Sequence, residues 1–473
     1  MLIARAEIED RAPCAVRIAG GRIAEVGAEL EPRPGESVFD AAGGALLPGL
    51  HDHHLHLFAW AAARRSVACG PPVVRDARAF ADALRTAARA TKPGAWIRGV
   101  GYHESVAGPL DRSALDALVS DHPLRIQQRT GSLWCLNSAA CRALGLDGRD
   151  GRLFHADAWL RERLPADEAP SLAEVARELS RYGVTGVTDA SPENGAAELA
   201  AFARAQARGE LPQRVVAMGR ADLPEASTPQ LARGARKLHL SESSLPRFED
   251  LVAEIESAHA QGRAVAIHCV TRTDLVFACA AFEAAGTRAG DRVEHASVAP
   301  PDTIPSLAAL RLTVVTQPGF VATRGDAYRR DVDSNDLPYL YRCAGLVTAG
   351  IPLGGSTDAP YGDGDPWAAM RAAVDRLAPD GLPLGADEAL SPERALALFT
   401  TPAESPGGAP RRIEPGACAD LCLLDRSWSA ARRQLESSHV VATWCDGCLV
   451  WSGGRGFAHS CDLAGLAIPS TPC

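Results

Sequence analysis

The sequence predicts an α/β fold: a (β/α)8 TIM-type barrel with a small β-sandwich domain and one long inserted segment. Three observations predict it. From about residue 172 to 400, apolar strand-like runs alternate with Ala-, Arg- and Glu-rich stretches of helical length. Both ends of the chain are β-rich instead, and residues 60 to 165 break the central rhythm. Strand alternating with helix is the pattern of parallel strands joined by crossover helices.

The elements follow in order. "CAVRIAGGRIAEVG" (14–27) is two alternating runs around Gly20-Gly21, a hairpin signature. "ALLPGLHDHHLHL" (45–57) reads as the first barrel strand. The inserted segment brings a helix, "DARAFADALRTAARA", and the runs "AWIRGVGYHES" and "PLRIQQRTGSLWCLNSAACRALGL". Seven further strands are expected in "GVTGVTDAS" (183–191), "QRVVAMG" (213–219), "RKLHLS" (236–241), "RAVAIHCV" (263–270), "RVEHAS" (292–297), "LTVVTQPG" (312–319) and "IPLGGSTDAP" (351–360). Helices are expected in "SLAEVARELSRY", "LPRFEDLVAEIESAHAQG" and "TDLVFACAAFEAAG". "GACADLCLLD" and "VVATWCDGCLVWSGG" return to the hairpin style, with Asp446-Gly447 as the turn. The expected domains are therefore 1–47 with 403–473 as the sandwich and 48–402 as the barrel, of which 60–165 is the insertion. The final dozen residues read as a tail.

Composition narrows the function. A hydrophobic fraction of 46% and a charged fraction of 23% fit a globular protein, and a net charge of −9 argues against nucleic acid or an anionic membrane as the partner. No apolar run approaches the roughly 20 residues that span a bilayer, and "MLIARAEIED" lacks a leader pattern, so a cytoplasmic location is expected. The 13 scattered cysteines then read as free thiols. The Cys445–Cys448 spacing has no second pair nearby, so its cysteines flank the hairpin turn rather than bind zinc. Of 49 basic residues only two, Lys92 and Lys237, are lysines. In such a background a lysine is a candidate for chemistry that needs an amine able to lose its proton.

In a parallel barrel the chemistry sits at the C-terminal ends of the strands. His54 and His56 close the first candidate, Lys237 and His239 lie in the fourth, His268 and His295 close the fifth and sixth, and Asp358 closes the last. Imidazole and carboxylate are ordinary ligands of divalent zinc or manganese. One such histidine is more often structural, but the ordered set is a metal site. Asp358 would also serve as general acid and base.

This ordered set resembles the amidohydrolase superfamily of metal-dependent hydrolases. "PGLHDHHLH" matches its first-strand signature Pro-Gly-x-x-Asp-x-His-x-His. "WIRGVGYHES", "TGSLWCLNSAA", "RVEHASV", "VTQPGF", "GGSTDAP" and "PGACADLCLLD" are similar to the branch of amidohydrolase family 3 that holds N-substituted formamide deformylases and related N-acyl amide hydrolases. The resemblance covers nearly the whole chain. It implies a barrel, a sandwich from both termini and an insertion covering the active site. It also implies one or two divalent ions, zinc first and manganese or iron after it. His54, His56 and Asp358 would hold one ion, and His268 and His295 a second. Lys237 matches a lysine that, once carboxylated, bridges the two. The His51/His53 pair has the same spacing as His54/His56, but only the latter is in register with the signature. Alternation along a strand puts Asp52, His54 and His56 on one face, with Asp52 supporting the ligands, and turns His51 and His53 away.

The expected reaction is attack of metal-activated hydroxide on a small N-acyl, N-formyl or cyclic amide. A deaminase is disfavoured because "IHCVTR" lacks the glutamate such enzymes carry after the fifth-strand histidine. The alternatives are an ester or carbamate hydrolase on the same site, or a catalytically silent metal-binding sensor. Candidate substrate contacts are His103, Trp134, Asn137, Arg272, Gln317 and Tyr361. For Trp134 the competing role is core packing, for Asn137 a cap on "SAACRAL", and for Arg272 an ion pair with Asp274. His122, His155 and His259 are expected to face solvent. A homodimer is compatible with all of this.

Overall fold

The computed structural model describes residues 1–453 apart from 10, 147–149, 155, 165–169 and 227. His155, the tail and the last glycine of "VVATWCDGCLVWSGG" lie outside the described residues. The chain forms two compact units, Met1–His56 with Leu172–Cys473, and Leu57–Ser171.

The first unit contains an eight-stranded parallel sheet. Its strands are β1 (Leu50–Leu55), β2 (Val184–Asp189), β3 (Arg214–Gly219), β4 (Leu231–His239), β5 (Val265–Cys269), β6 (Arg292–His295), β7 (Thr313–Thr316) and β8 (Leu353–Gly355). They pair in chain order from β1 to β8. Just beyond the strand ends, Asp358 N donates to His54 O at 2.9 Å and His56 N donates to Ala359 O at 2.8 Å, drawing β8 to β1 and nearly closing a barrel. The strands are rich in buried β-branched residues, as expected where both faces are covered. The expected helices appear as Ala173–Arg181, Phe248–Ala260 and Arg272–Ala285, the last begun by a Thr271/Asp274 capping box.

Two expectations are corrected. The run 45–57 is not one strand: Leu46–Pro48 pairs antiparallel with Leu421–Leu424 in the sandwich, and β1 starts only at Leu50. The chain changes sheets at Gly49, where any side chain would collide with Thr185. The fourth strand is longer than "RKLHLS", starting at Leu231 opposite Val215. Among the described residues, no helix separates β3 from β4. The arginines at 233 and 236 hide this strand in the sequence. Their side chains pair with Glu225 and Glu254 while the backbone stays in the sheet.

Both termini build the small domain. Arg22–Gly27, Arg11–Ala19, Leu2–Ile8 and Val38–Asp40 form one sheet, and Cys448–Ser452, Val440–Cys445, Leu421–Leu424 and Leu46–Pro48 the other. Ile3, Val16, Phe39, Leu421 and Trp444 share one core, with Phe39 edge-on to Trp444 at 5.0 Å. The hairpin turns have positive φ at both central residues, Gly20-Gly21 (56° and 75°) and Asp446-Gly447 (49° and 76°), the geometry that asks for Gly and Asp. Cys445 and Cys448 face each other across the second turn with no disulfide between them.

The second unit is a five-stranded sheet with the helix Ala77–Ala90, capped by Asp76. Phe80, Leu84, Ile97, Leu115, Leu124 and Ile126 form its core. Among the described residues, no helix is long and apolar enough to cross a membrane.

Candidate active site

The strand ends bring the central candidates to one end of the barrel. His54 ends the histidine run on β1, and His56 follows it. Asp358 lies just past β8 in a left-handed conformation (φ 55°), pinned by its own N–H to His54 O and by Tyr361 N donating to its carbonyl at 2.8 Å. Non-glycine residues in this region are strained and cluster at functional sites. His295 has the same feature (φ 70°). The Asp358 carboxylate Oδ1 lies 3.3 Å from His56 Nε2 and 3.6 Å from His54 Nε2. One ligand atom from each of these three residues falls within 4.8 Å of the other two. Ring contacts extend the cluster: His54 to His295 (4.8 Å between centroids), His295 to His268 (4.4 Å), and His268 stacked on His239 (4.2 Å).

The donor set fits a divalent ion. Each of three imidazoles is held at Nδ1: His54 donates to Glu294, His56 pairs with Ser191 Oγ at 3.0 Å, and His295 donates to Gln317 Oε1 at 2.7 Å. Anchoring one ring nitrogen fixes the tautomer and presents the other to a metal. Burial, followed by the charge of Lys237, pushes His54 down to about 3, and burial also lowers His268 and His295. These rings are neutral near pH 7, the form that ligates. Burial opposes ionisation of Asp358, but His56, His54 and His295 together hold it down to about 2. Among the described residues, Asp358 Oδ1 and Lys237 Nζ are buried without a hydrogen-bond partner. Buried orphans of this kind call for an ion or a further group. Burial brings Lys237 down to about 8, with Arg292 adding to the fall and Glu294 opposing it.

Asp52 precedes His54 and His56 on the same run of chain. It accepts from His54 N at 3.1 Å, from Thr357 N at 3.2 Å and from Thr357 Oγ1 at 2.5 Å, so it ties β1 to the β8 end. Burial raises it to about 7 against those hydrogen bonds. His51 and His53 turn to the other face, where their Nε2 atoms bond Thr188 and Thr401, each at 2.9 Å.

The candidate substrate contacts are less uniform. Gln317 is only 1% exposed; it orients His295 and donates to Ser356 Oγ at 2.8 Å. Tyr361 is edge-on to His56 at 5.4 Å. Arg272 pairs with Asp336 at 2.6 Å rather than with Asp274, whose Oδ2 accepts from the Val270 and Thr271 backbone N–H groups. In the inserted unit, His103 caps the turn Glu104–Ala107. Trp134 is buried, donates to Asp157 at 3.1 Å and packs with Leu136, Ala140 and Leu160. Asn137 spends both amide hydrogens on Val119 O and His122 O, and its oxygen on Leu124 N and Ala140 N, which is the capping role. Solvent exposure is corrected for two histidines. His122 is 4% exposed and meets Ala95 O, and His259 pairs with Asp291 at 3.0 Å.

Sequence reasoning passed over Glu294, Arg292 and Ser191; it put His239 on the fourth strand beside Lys237 but gave it no role. The signal for the first two was available: Arg292 and Glu294 are opposite charges two apart on a strand that is otherwise buried, so both face the barrel interior.

Comparison with known proteins places the fold and the family. The chain is 26% identical to the N-substituted formamide deformylase of Arthrobacter pascens, covering 93% of this chain and 96% of that one. Among solved structures it shares its fold with a metal-dependent hydrolase of Pyrococcus horikoshii (TM-score 0.74, 22% identity, 93% and 100% of the two chains). It also resembles the N-isopropylammelide isopropylaminohydrolase of Burkholderia multivorans (TM-score 0.54, 18% identity, 95% and 97% of the two chains). The zinc complex of an Arthrobacter aurescens atrazine chlorohydrolase is similar too (TM-score 0.57, 15% identity, 95% of both chains). The profile of the amidohydrolase family matches residues 37–451, and the chain belongs to that family.

Proposed function

We propose that this chain hydrolyses the C–N bond of a small N-formyl or N-acyl amide, using Asp358 as general acid and base. Family membership makes it a metal-dependent hydrolase of carbon–nitrogen bonds other than peptide bonds. The observation that carries the finer reading is the convergence of His54, His56 and Asp358 at the barrel mouth, where Asp358 Oδ1 lies beside both rings but makes no hydrogen bond.

His54, His56 and Asp358 would hold one ion, zinc in our reading; His268, His295 and a carboxylated Lys237 would hold a second. A bound divalent ion polarises a carbonyl and lowers the pKa of water from about 15.7 to about 7. Asp358, ionised at neutral pH, takes a proton from the attacking water and returns it to the leaving nitrogen. Lys237, brought down to about 8, has an uncharged fraction available for carbamate formation, which arginine lacks. The similarity to a formamide deformylase supports the choice of acyl group.

The test is a hydrolysis screen of N-substituted formamides, acetamides and cyclic amides with zinc or manganese, run beside Asp358→Asn. General acid–base catalysis contributes about 10²–10⁴-fold, so the variant should lose at least two orders of magnitude in kcat. Undiminished turnover in Asp358→Asn would refute the mechanism, and turnover of esters alone would refute the substrate class.

A further inference from the structure

The three anchored imidazoles are not anchored alike. Ser191 offers His56 a hydroxyl and Gln317 offers His295 an amide oxygen, both neutral. Behind His54 stands a carboxylate, Glu294, which is fully buried. Its two oxygens are divided: Oε2 accepts from His54 Nδ1, and Oε1 accepts from Arg292 Nε. Arg292 is 4% exposed, and its Nη2 donates to the carbonyl of His53 at 2.8 Å. One guanidinium therefore fixes both the carboxylate behind the His54 ring and the backbone just before it.

We propose that Glu294, held by Arg292, is the positioning residue that sets the affinity of this site for its metal ion by orienting His54 and making it a better donor. The inference rests on the metal-site reading above. A pair serving the fold alone would engage both carboxylate oxygens with the guanidinium fork, the geometry that suits Arg best. Here one oxygen is given to the ligand imidazole. A carboxylate on the far nitrogen of a ligating histidine fixes its tautomer and raises its basicity, and losing such a partner typically weakens metal binding 10- to 100-fold. The hydrogen bonds of Glu294 go to His54 and Arg292, and its charge also reaches Lys237, so it would act on the ion through these side chains.

The experiment is zinc titration of chelator-stripped protein against a chromogenic competitor, comparing wild type, Glu294→Gln and the double variant Glu294→Leu/Arg292→Met. The double variant removes both charges at similar volume, a change that buried ion pairs tolerate far better than loss of one partner. It therefore keeps the test open if the single variant folds poorly. Both variants should bind zinc about 10- to 100-fold more weakly than wild type, while the metal-free double variant melts close to metal-free wild type. A double variant that binds zinc as tightly as wild type overturns the role of Glu294 and leaves the metal site standing. Wild type that takes up no zinc overturns the metal reading, and this inference with it.

Discussion

Replacing Gly186 with alanine would press a methyl group against His51. A Cβ built at Gly186 lies 2.5 Å from His51 Nδ1 and 3.2 Å from Cε1, where ordinary contacts are about 3.5–4.0 Å. The ring has little room to yield, being 4% exposed and bonded to Thr188 through Nε2. Overpacking of this kind costs about 1–3 kcal/mol. The cost should vanish where the ring has been removed. In a double-mutant cycle of Gly186→Ala and His51→Ala, the double variant should be more stable than the sum of the singles by about 1–3 kcal/mol. Urea unfolding of the four metal-free proteins, with m-values compared, reads this coupling. Energies additive within about 0.5 kcal/mol would mean that His51 does not face Gly186. A one-residue shift of β1 turns every side chain to the opposite face, so His54 and His56 would then leave the barrel interior and the proposed site would fail with them.

Two further predictions concern the sandwich. Arg17, with the Arg33 backbone N–H, holds the Glu36 carboxyl down to about 2 from an ordinary 4.5. A depressed carboxylate stabilises the fold above its unfolded pKa, and that contribution is lost as pH falls through the folded value. Glu36→Gln should therefore be less stable than wild type at pH 7 in urea unfolding, with the gap closing between about pH 4.5 and 2; a gap that widens on acidification would contradict the pairing. Trp444→Ala should cost about 3–5 kcal/mol, because Trp444 is fully buried against Phe39. A loss under about 1 kcal/mol would show that the two terminal sheets do not share a core.

The barrel was legible because buried parallel strands concentrate Val and Ile into short runs between helical stretches. The candidate ligands could be nominated because the C-terminal rule gathers His54, His56, Lys237, His239, His268, His295 and Asp358, and the family signature then favours all of these but His239. Long-range pairing was not legible. Arg272 has Asp274 two residues away, yet Asp274 turns back into the capping box and the ion pair goes to Asp336, 64 residues on. Alternation puts Arg292 and Glu294 on one face of β6, but only the structure shows that Glu294 reaches His54, 240 residues away. The first strand was drawn too long because periodicity cannot show where a chain leaves one sheet for another. That change at Gly49 depends on Thr185, distant in sequence. His122 and His259 looked solvent-facing because their partners, Ala95 O and Asp291, carry no local motif.

The most direct test of the central claim is anomalous diffraction at the zinc edge from zinc-loaded crystals of the whole chain. The account predicts a peak bounded by His54, His56 and Asp358, with a second, if present, beside His268, His295 and Lys237. A peak on His51 and His53, or zinc bound away from Asp358, would contradict it.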